Sequence, residues 1–472
     1  MDALGLTVLV VFVVTYALIS SEKLNRTGMS LLGMAVVGVV FWATNLTDPV
    51  AQPLDFVHFV EGIEWDTVLF VTAMMIIVAV AGASGMFQYL ALALAKPSGG
   101  IHKSLYTLFL LFVFFISLFL DNVSTTLIMA PLTIQVCRAL EVDFKPFLVS
   151  EAIVCNIGSI PSIVGAVPNI VIANETGMDA GLLFITFMPL SFLLLIVTWI
   201  LLGRFYSDAF GVSDEHSVGF LLDIDPTVMI KSRRDFYASV IAFAFLVVGF
   251  ALGPSLHIPP VMIALLVASG LLILAHDRAV QFLAEVGWDT IFFLVGLFGL
   301  VGALDITGLI DELGVLLQNI IGDNAVAAIV FMVWVPATLS AFLDNLPVSA
   351  VLAPIAVTLS DVSSILPLVL VFAVGVGGNV FTPLGSPSNM VAIGFSEREH
   401  DPISYREFAT AGTIAGLAHL AIGSVYLLLV EFIGLWIMVF GGTILGVFGF
   451  IVFLFPYLRG DNEGTSTRKN QN

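Results

Sequence analysis

Charge is what this sequence has least of. Of its 472 residues only 11% are Asp, Glu, Lys or Arg, where a soluble globular chain carries roughly 25%. The two cysteines, Cys137 and Cys155, both fall in apolar segments, which excludes a disulfide framework. They are expected to be small buried side chains, with soft-metal or arsenic coordination as the alternative, and whether either touches a substrate is left open. The phosphate-binding pattern Gly-x-x-x-x-Gly-Lys-[Ser/Thr] is missing, so the chain is not expected to use ATP directly. A nucleophile elbow and a metalloprotease histidine pair are missing as well, and no enzyme is expected. No resident cofactor is implied, and a net charge of −19 gives no reason to expect nucleic acid as a partner. The first apolar run, Leu4 to Ile19, has neither a basic region ahead of it nor a small-residue cleavage site, so it reads as a retained helix rather than a signal peptide.

What is there is apolar: 59% of the chain is hydrophobic and the mean hydropathy is +1.08. Runs of about 17–25 residues recur, each able to cross a bilayer as a helix. Candidate spans are 4–20, 29–45, 66–83, 181–203, 236–253, 258–275, 288–304, 409–432 and 434–457. Between them lie two pairs of shorter arms, 104–120 with 123–137 and 325–343 with 346–360. Two interrupted segments follow, 147–173 and 364–395, broken by glycine and proline. The lipid bilayer is therefore the first expected partner.

The second half repeats the first. Phe119-Leu120-Asp121-Asn122 recurs as Phe342-Leu343-Asp344-Asn345, Trp65-Asp66-Thr67 as Trp288-Asp289-Thr290, and Pro131 as Pro354, all at an offset of 223. The broken segments match at an offset of 220, with Gly158, Ser162, Gly165 and Asn169 paired to Gly378, Thr382, Gly385 and Asn389. Diffuse apolar similarity does not hold a constant offset through polar landmarks.

Basic residues set the orientation. With the N-terminus outside and both arm pairs re-entrant, all 16 Lys and Arg fall on the cytoplasmic side, Lys23, Arg26, Arg398 and Arg459 among them. The loops 46–64, 174–180, 305–324 and 361–363 on the other side contain none. Each repeat then has an odd number of crossings, so the halves are inverted. The expected fold is an all-α polytopic membrane protein with two inverted repeats of five transmembrane helices, each with a re-entrant hairpin and a broken helix. One extra C-terminal helix brings the total to about 11 crossings. The boundaries are a first repeat at 1–206 (hairpin 104–138, broken helix 147–173), a cytoplasmic linker at 207–234, a second repeat at 235–433 (hairpin 325–360, broken helix 364–395) and an extra helix with a polar tail at 434–472. The expected location is the plasma membrane, with the C-terminus cytoplasmic.

An ionisable group inside a membrane is costly and marks function by default. The first tip offers Asp121, Asn122, Ser124 and Thr125, and the second offers Asp344, Asn345 and Ser349. Facing them are expected Asn156, Gly158, Ser162 and Asn169, and from the other half Asn379, Thr382, Ser386, Ser388 and Asn389. Carboxylate, amide, hydroxyl and carbonyl oxygens suit a hard cation, so Na⁺ at Asp121/Asn122 and Asp344/Asn345 is one expectation. A proton on a carboxylate is the other. The plain alternative is that these groups only cap broken helices. Glu151 is either a proton relay or a solvated carboxylate at the membrane edge. Asp66 and Asp289 are expected to cap their helices beside interfacial tryptophans. The histidines at 58, 102, 216, 257, 276 and 400 sit in or beside loops.

Asp121-Asn122-Val123-Ser124-Thr125-Thr126, the stretch from Ser150-Glu151-Ala152 to Pro168-Asn169, Asp344-Asn345-Leu346-Pro347 and Gly385 to Asn389 together resemble the motifs of the arsenite-permease and NhaD-type sodium–proton antiporter group, which includes the P protein and belongs to the ion transporter superfamily with its citrate-transporter-like domain. The resemblance covers roughly 50–460. It implies a scaffold and a moving transport unit, an elevator-like displacement and a homodimer, with a separate ATPase subunit as partner if the chain exports arsenite. Many relatives carry a Thr-rich segment with an Asp after the glycine, where this chain has Ile160-Pro161-Ser162 and Ala166 after Gly165. The carboxylate-uptake branch shows Ser-Asn-Thr at its tips, and two Asp-Asn tips would repel such an anion unless cations or protons neutralised them.

The leading expectation is a secondary active transporter coupled to H⁺ or Na⁺, carrying a small inorganic ion by Na⁺/H⁺ antiport or by arsenite and antimonite export. Coupled uptake of citrate, dicarboxylate or sulfate comes next, and a passive channel last.

Overall fold

Inside hydrocarbon a backbone must satisfy its own N–H and C=O groups, and long apolar runs do so as helices. The computed structural model describes residues 3–20, 24–47, 60, 63–211, 225–256 and 258–434. Its helices are α1 (Ala3–Ser20), α2 (Arg26–Thr47), α3 (Trp65–Ser84), α4 (Met86–Ala95), α5 (His102–Ile116), α6 (Asn122–Ala139), α7 (Lys145–Ser159), α8 (Val167–Thr176) and α9 (Ala180–Phe205). After the linker come α10 (Arg233–Leu256), α11 (Pro260–Ala275), α12 (Ala279–Ala284), α13 (Trp288–Ile306), α14 (Leu309–Ile321), α15 (Ala325–Phe342), α16 (Asn345–Thr358), α17 (Leu366–Gly377), α18 (Pro387–Arg398) and α19 (Tyr405–Ile433).

Seven helical stretches among the described residues are long and apolar enough to cross a membrane, and the chain is a multi-pass membrane protein. The helix expected at 434–457 and the polar tail lie outside the described residues, Gly434 excepted. Residues 212–224 of the linker, Lys23, Arg459, Arg468, Lys469, His58, His216 and His257 also lie outside them. The short helices α4 and α14 were not expected from the sequence. Leu309, which opens α14, stands 223 positions after Met86, which opens α4.

Both arm pairs are helical hairpins, α5–α6 and α15–α16, with the Asp-Asn phrases at their tips. The arms hold 15, 18, 18 and 14 residues, a rise of about 21–27 Å at 1.5 Å per residue, against about 30 Å of hydrocarbon. Both interrupted segments are broken helices: α7 stops at Ser159 and α8 starts at Val167, while α17 stops at Gly377 and α18 starts at Pro387.

The packing exchanges elements between the halves. Helices α1 and α2 lie against α13 of the second half, and α10 and α11 lie against α3 of the first. Each hairpin packs on the first arm of its own broken helix, α5–α6 on α7 and α15–α16 on α17. The second arms cross over, α8 onto α16 and α18 onto α6. Every one of these contacts has a counterpart with the halves exchanged.

Close backbone approach makes the crossings work. A Cβ on Gly158 would lie 2.9 Å from the Phe114 carbonyl oxygen and one on Gly377 2.5 Å from that of Ala337. Phe114 and Ala337 stand 223 positions apart, like the tips. Gly165 and Gly385 abut the carbonyls of Ser117 and Ser340 in the same way. The contacts pair Gly158 with Gly377, not with Gly378 as the sequence offset suggests. From Gly377 to Gly385 is one position more than from Gly158 to Gly165, so a constant offset misplaces the near edge of the second break by one.

A methyl at either crossing has backbone in its way, and overpacking costs about 1–3 kcal/mol where side chains can yield. Gly385→Ala and Gly165→Ala are each expected to lower the unfolding temperature of the detergent-solubilised protein markedly. Gly394→Ala on α18, with nothing within 4 Å of its added Cβ, is expected to leave that temperature unchanged.

Candidate functional site

A helix that starts inside the protein exposes unpaired N–H groups, and a side-chain oxygen at the N-cap satisfies them. Both tip carboxylates do this. Asp121 caps α6, with Oδ1 accepting from the N–H groups of Val123 at 3.0 Å and Ser124 at 3.1 Å, and Oδ2 from the Ser124 hydroxyl. Asp344 caps α16 through the Leu346 N–H at 3.1 Å. Capping is thus a real part of both residues' work, and ion binding would be additional to it.

Beneath the tips runs a buried network centred on Asn156, three residues before the end of α7. Its amide oxygen accepts from Asn122 Nδ2 at 2.6 Å, Ser386 Oγ at 3.0 Å and, more distantly, Ser388 Oγ at 3.5 Å. Its amide nitrogen donates to Asn379 Oδ1 at 2.7 Å and Asn389 Oδ1 at 3.4 Å. All these side chains are buried. Asn169 Nδ2 donates to the carbonyls of Ser159 and Ser162, both at 2.9 Å, and Asn389 Nδ2 donates to that of Gly378 at 2.8 Å. The two asparagines thereby satisfy carbonyls that the breaks set free. Thr382 caps the short turn Pro383–Gly385 and donates its hydroxyl to Ala341 O.

Not every expected residue joins in. Thr125 and Ser349 donate to backbone carbonyls of their own hairpins. The Ser162 side chain makes no hydrogen bond among the described residues, and Gly158 serves helix packing. Cys137 and Cys155 are buried, and Cys155 Sγ faces Asn122 O at 3.5 Å. Neither cysteine lines the cavity described next.

That cavity, of about 640 Å³, is lined by Asp121 and Asn122 from the first tip, Asp344 and Asn345 from the second, and Ser386 from the second break. Apolar walls come from Phe293, Phe342, Met75 and Met390, and two guanidinium groups, Arg26 and Arg398, complete it. Two Asp and two Arg leave the lining formally neutral. Arg26 was expected to be an ordinary loop cation. It stands instead at the first position of α2, with NH1 3.9 Å from Asp344 Oδ2, NH2 3.8 Å from Asp289 Oδ2 and its guanidinium carbon 5.5 Å from the centre of the Phe293 ring.

Three further expectations are corrected. Glu151 is not a solvated edge carboxylate: it is buried, Oε1 accepts from Thr133 Oγ1 at 2.7 Å, and Oε2 has no hydrogen-bond partner among the described residues. Asp66 and Asp289 are not N-caps. Those positions belong to Glu64 and Gly287, and the two Asp sit in the first helical turns, where a negative charge still favours the helix dipole. His419 escaped the loop-histidine reading altogether. It lies fully buried on α19, with Nε2 2.9 Å from Thr198 Oγ1. A lone histidine in an apolar span would have flagged it.

Residues 16–377 match the family model described as Citrate transporter. An uncharacterized transporter of Mycobacterium bovis is 31% identical over 430 residues, covering 90% of this chain and 98% of its own. The mouse P protein is 29% identical, covering 89% of this chain and 60% of its own. The crystal structure of the Alcanivorax borkumensis YdaH transporter superposes with a TM-score of 0.60 at 16% identity, covering 92% of this chain and all of that one. At that identity the likeness speaks for the fold.

Removing the amide at the centre of the network strands several buried partners, each at about 1–3 kcal/mol. Asn156→Ala is expected to destabilise the protein by at least about 2 kcal/mol, read as a fall in its denaturation midpoint. Ser162→Ala, which breaks no side-chain bond, is expected to change it by less than about 0.5 kcal/mol.

Proposed function

The chain belongs to the citrate transporter family, and from that premise we propose that it is a cation-coupled secondary active transporter whose coupling ion, H⁺ or Na⁺, binds where the two hairpin tips meet. The observation that carries this reading is that Asp121 with Asn122 and Asp344 with Asn345 line one cavity. Two carboxylates that only capped helices would have no need to converge.

The exchanged packing supports two inverted five-helix repeats with re-entrant hairpins, at the proposed boundaries and about 11 crossings. In the elevator mechanism proposed here, α1, α2 and α13 with α3, α10 and α11 form the frame. The hairpins and broken helices form the moving unit. The cavity reaches Ile19, Leu24 and Arg26 around the α1–α2 connection. With the N-terminus outside and the C-terminus cytoplasmic, as the basic residues argue, this conformation is the one open to the cytoplasm. A homodimer in the plasma membrane completes the proposal, with a separate ATPase subunit only if the cargo is arsenite. Glu151, with one buried carboxyl oxygen that has no partner among the described residues, is proposed as a proton relay.

For cargo, Na⁺/H⁺ antiport and arsenite or antimonite export rank first, since the tips present carboxylates. A second reading is coupled uptake of an anion such as citrate, a dicarboxylate or sulfate. The two guanidinium groups in the lining favour it, because a cation bound at the tips would leave the neutral cavity positive.

Reconstitution into proteoliposomes under an imposed pH gradient separates these cargoes. Sodium-dependent proton movement selects antiport, arsenite flux without it selects export, and sodium- or proton-driven citrate accumulation selects uptake. Asp121→Asn and Asp344→Asn are each expected to abolish the flux or shift its pH dependence while the protein stays folded and extractable. Unchanged pH profiles in both variants would remove the coupling role of the tips.

A further inference from the structure

The two tips are copies of one motif, yet their carboxylates are held differently. Asp121 has both oxygens occupied by donors from its own helix: two N–H groups and the Ser124 hydroxyl. The residue 223 positions after Ser124 is Pro347, which has neither an N–H nor a hydroxyl to give. Asp344 is left with one helix donor on Oδ1, the Leu346 N–H. Facing Oδ2 is the Arg26 guanidinium at 3.9 Å. Among the described residues no cation stands within 4.0 Å of Asp121.

The placement of Arg26 is costly by itself. A positive charge at the first position of a helix opposes the helix dipole, and Asn25 Oδ1 already caps α2 through the Gly28 N–H at 2.8 Å. Anionic company offsets that cost, from Asp289 on α13 and Asp344 on the hairpin. At 3.9 Å the contact with Asp344 is too long for a hydrogen bond. The side chains are 41% and 23% exposed, so water screens the pair and its strength is modest. Such a pair can exchange. It also joins two bodies, since α2 packs on α13 in the frame while Asp344 rides on a hairpin tip.

We propose that Arg26 is a tethered counter-cation for Asp344: it neutralises the second tip when the cavity holds no coupling ion, and it is displaced by the Na⁺ or H⁺ that binds there. This rests on the reading of the tips as the cation site. Asp121, saturated by its own helix, contributes position and field, while Asp344 does the exchanging. Binding of the ion severs a link between frame and hairpin, which ties occupancy to freedom of movement. The other charged or titratable groups around Asp344 are Asp121, Arg398 and Tyr16 in the same cavity lining, and Asp289 beyond Arg26.

The test uses the full-length protein in lipid nanodiscs and a hydrophobic carbodiimide, which modifies protonated carboxyl groups. The adduct at Asp344 is quantified by peptide mass spectrometry across acid to alkaline pH, in NaCl or in choline chloride. Relative to wild type, Arg26→Gln is expected to shift the modification midpoint upward by about one pH unit, a tenfold gain in proton affinity. Where sodium protects Asp344, it is expected to do so at about tenfold lower concentration. Arg26→Lys, which keeps the charge, should lie close to wild type and controls for misfolding of the Gln variant. Equal midpoints and equal sodium protection in wild type and Arg26→Gln would overturn the competition while leaving the tip site standing. Weaker sodium protection in Arg26→Gln would overturn it too, by making Arg26 a helper of the ion. An Asp344 adduct insensitive to both pH and sodium in every protein would remove the cation site and this inference with it.

Discussion

A backbone N–H or carbonyl without a partner in hydrocarbon costs several kcal/mol, and this chain interrupts its helices at four places within the protein interior. The rest of the core is arranged around satisfying those interruptions. Asp121 and Asp344 supply the acceptors that two hairpin helices lack at their starts. Asn169 and Asn389 supply the donors that the ends of α7 and α17 lack. Glycines at the crossings let hairpin and broken helix approach until carbonyl meets Cα, which closes the gaps to water. Function at such a place is economical in the physical sense: oxygen atoms that must be present to finish the helices are already grouped where an ion could use them.

The residues at the breaks were legible in the sequence because a polar residue inside an apolar run is rare and therefore informative. Tip positions, arm lengths and the edges of both broken helices followed from it to within a few residues. What was not legible depended on long-range contact. Arg26 and Asp344 are more than 300 positions apart, and a basic residue between two spans reads as a loop cation unless its dipole-opposing place at a helix start is noticed. Asn156 looked like one of many facing asparagines, since its central role requires the break and the start of α18 in the other half to converge on it. Asp66 and Asp289 misled because Trp-Asp-Thr reads as a cap, whereas the helices begin two residues earlier than that reading needs. The short helices α4 and α14 escaped because neither is long enough to give a membrane signal.

The two halves share a contact geometry, and they differ in the residues placed at its matched positions. The exchanged contacts make Asn156 on α7 the counterpart of Gly375 on α17, and Asn379 the counterpart of Ile160. The contact of Asn156 with Asn379 is polar, at 2.7 Å, while its counterpart sets Gly375 against the Ile160 side chain. One crossing of the halves is a hydrogen-bonded hub and the other is apolar packing. The tips diverge in the same spirit at Ser124 and Pro347.

Two identical carboxylates lining one partly buried cavity would each raise the cost of ionising the other. A symmetric pair of tips therefore has no stable resting charge state without bound cations. The chain resolves this by treating the copies unequally: one carboxylate is absorbed into the N–H groups of its own helix, and the other is met by a guanidinium from a different part of the protein. A serine at 347 would let the second tip close on itself as the first does, leaving Arg26 with only Asp289 to offset its place at the start of α2. Proline at that one position withholds two donors, so Asp344 keeps an oxygen directed outward. The asymmetry of the site thus reduces to which residue follows the Asp-Asn pair by two, and the fold common to both halves holds either choice.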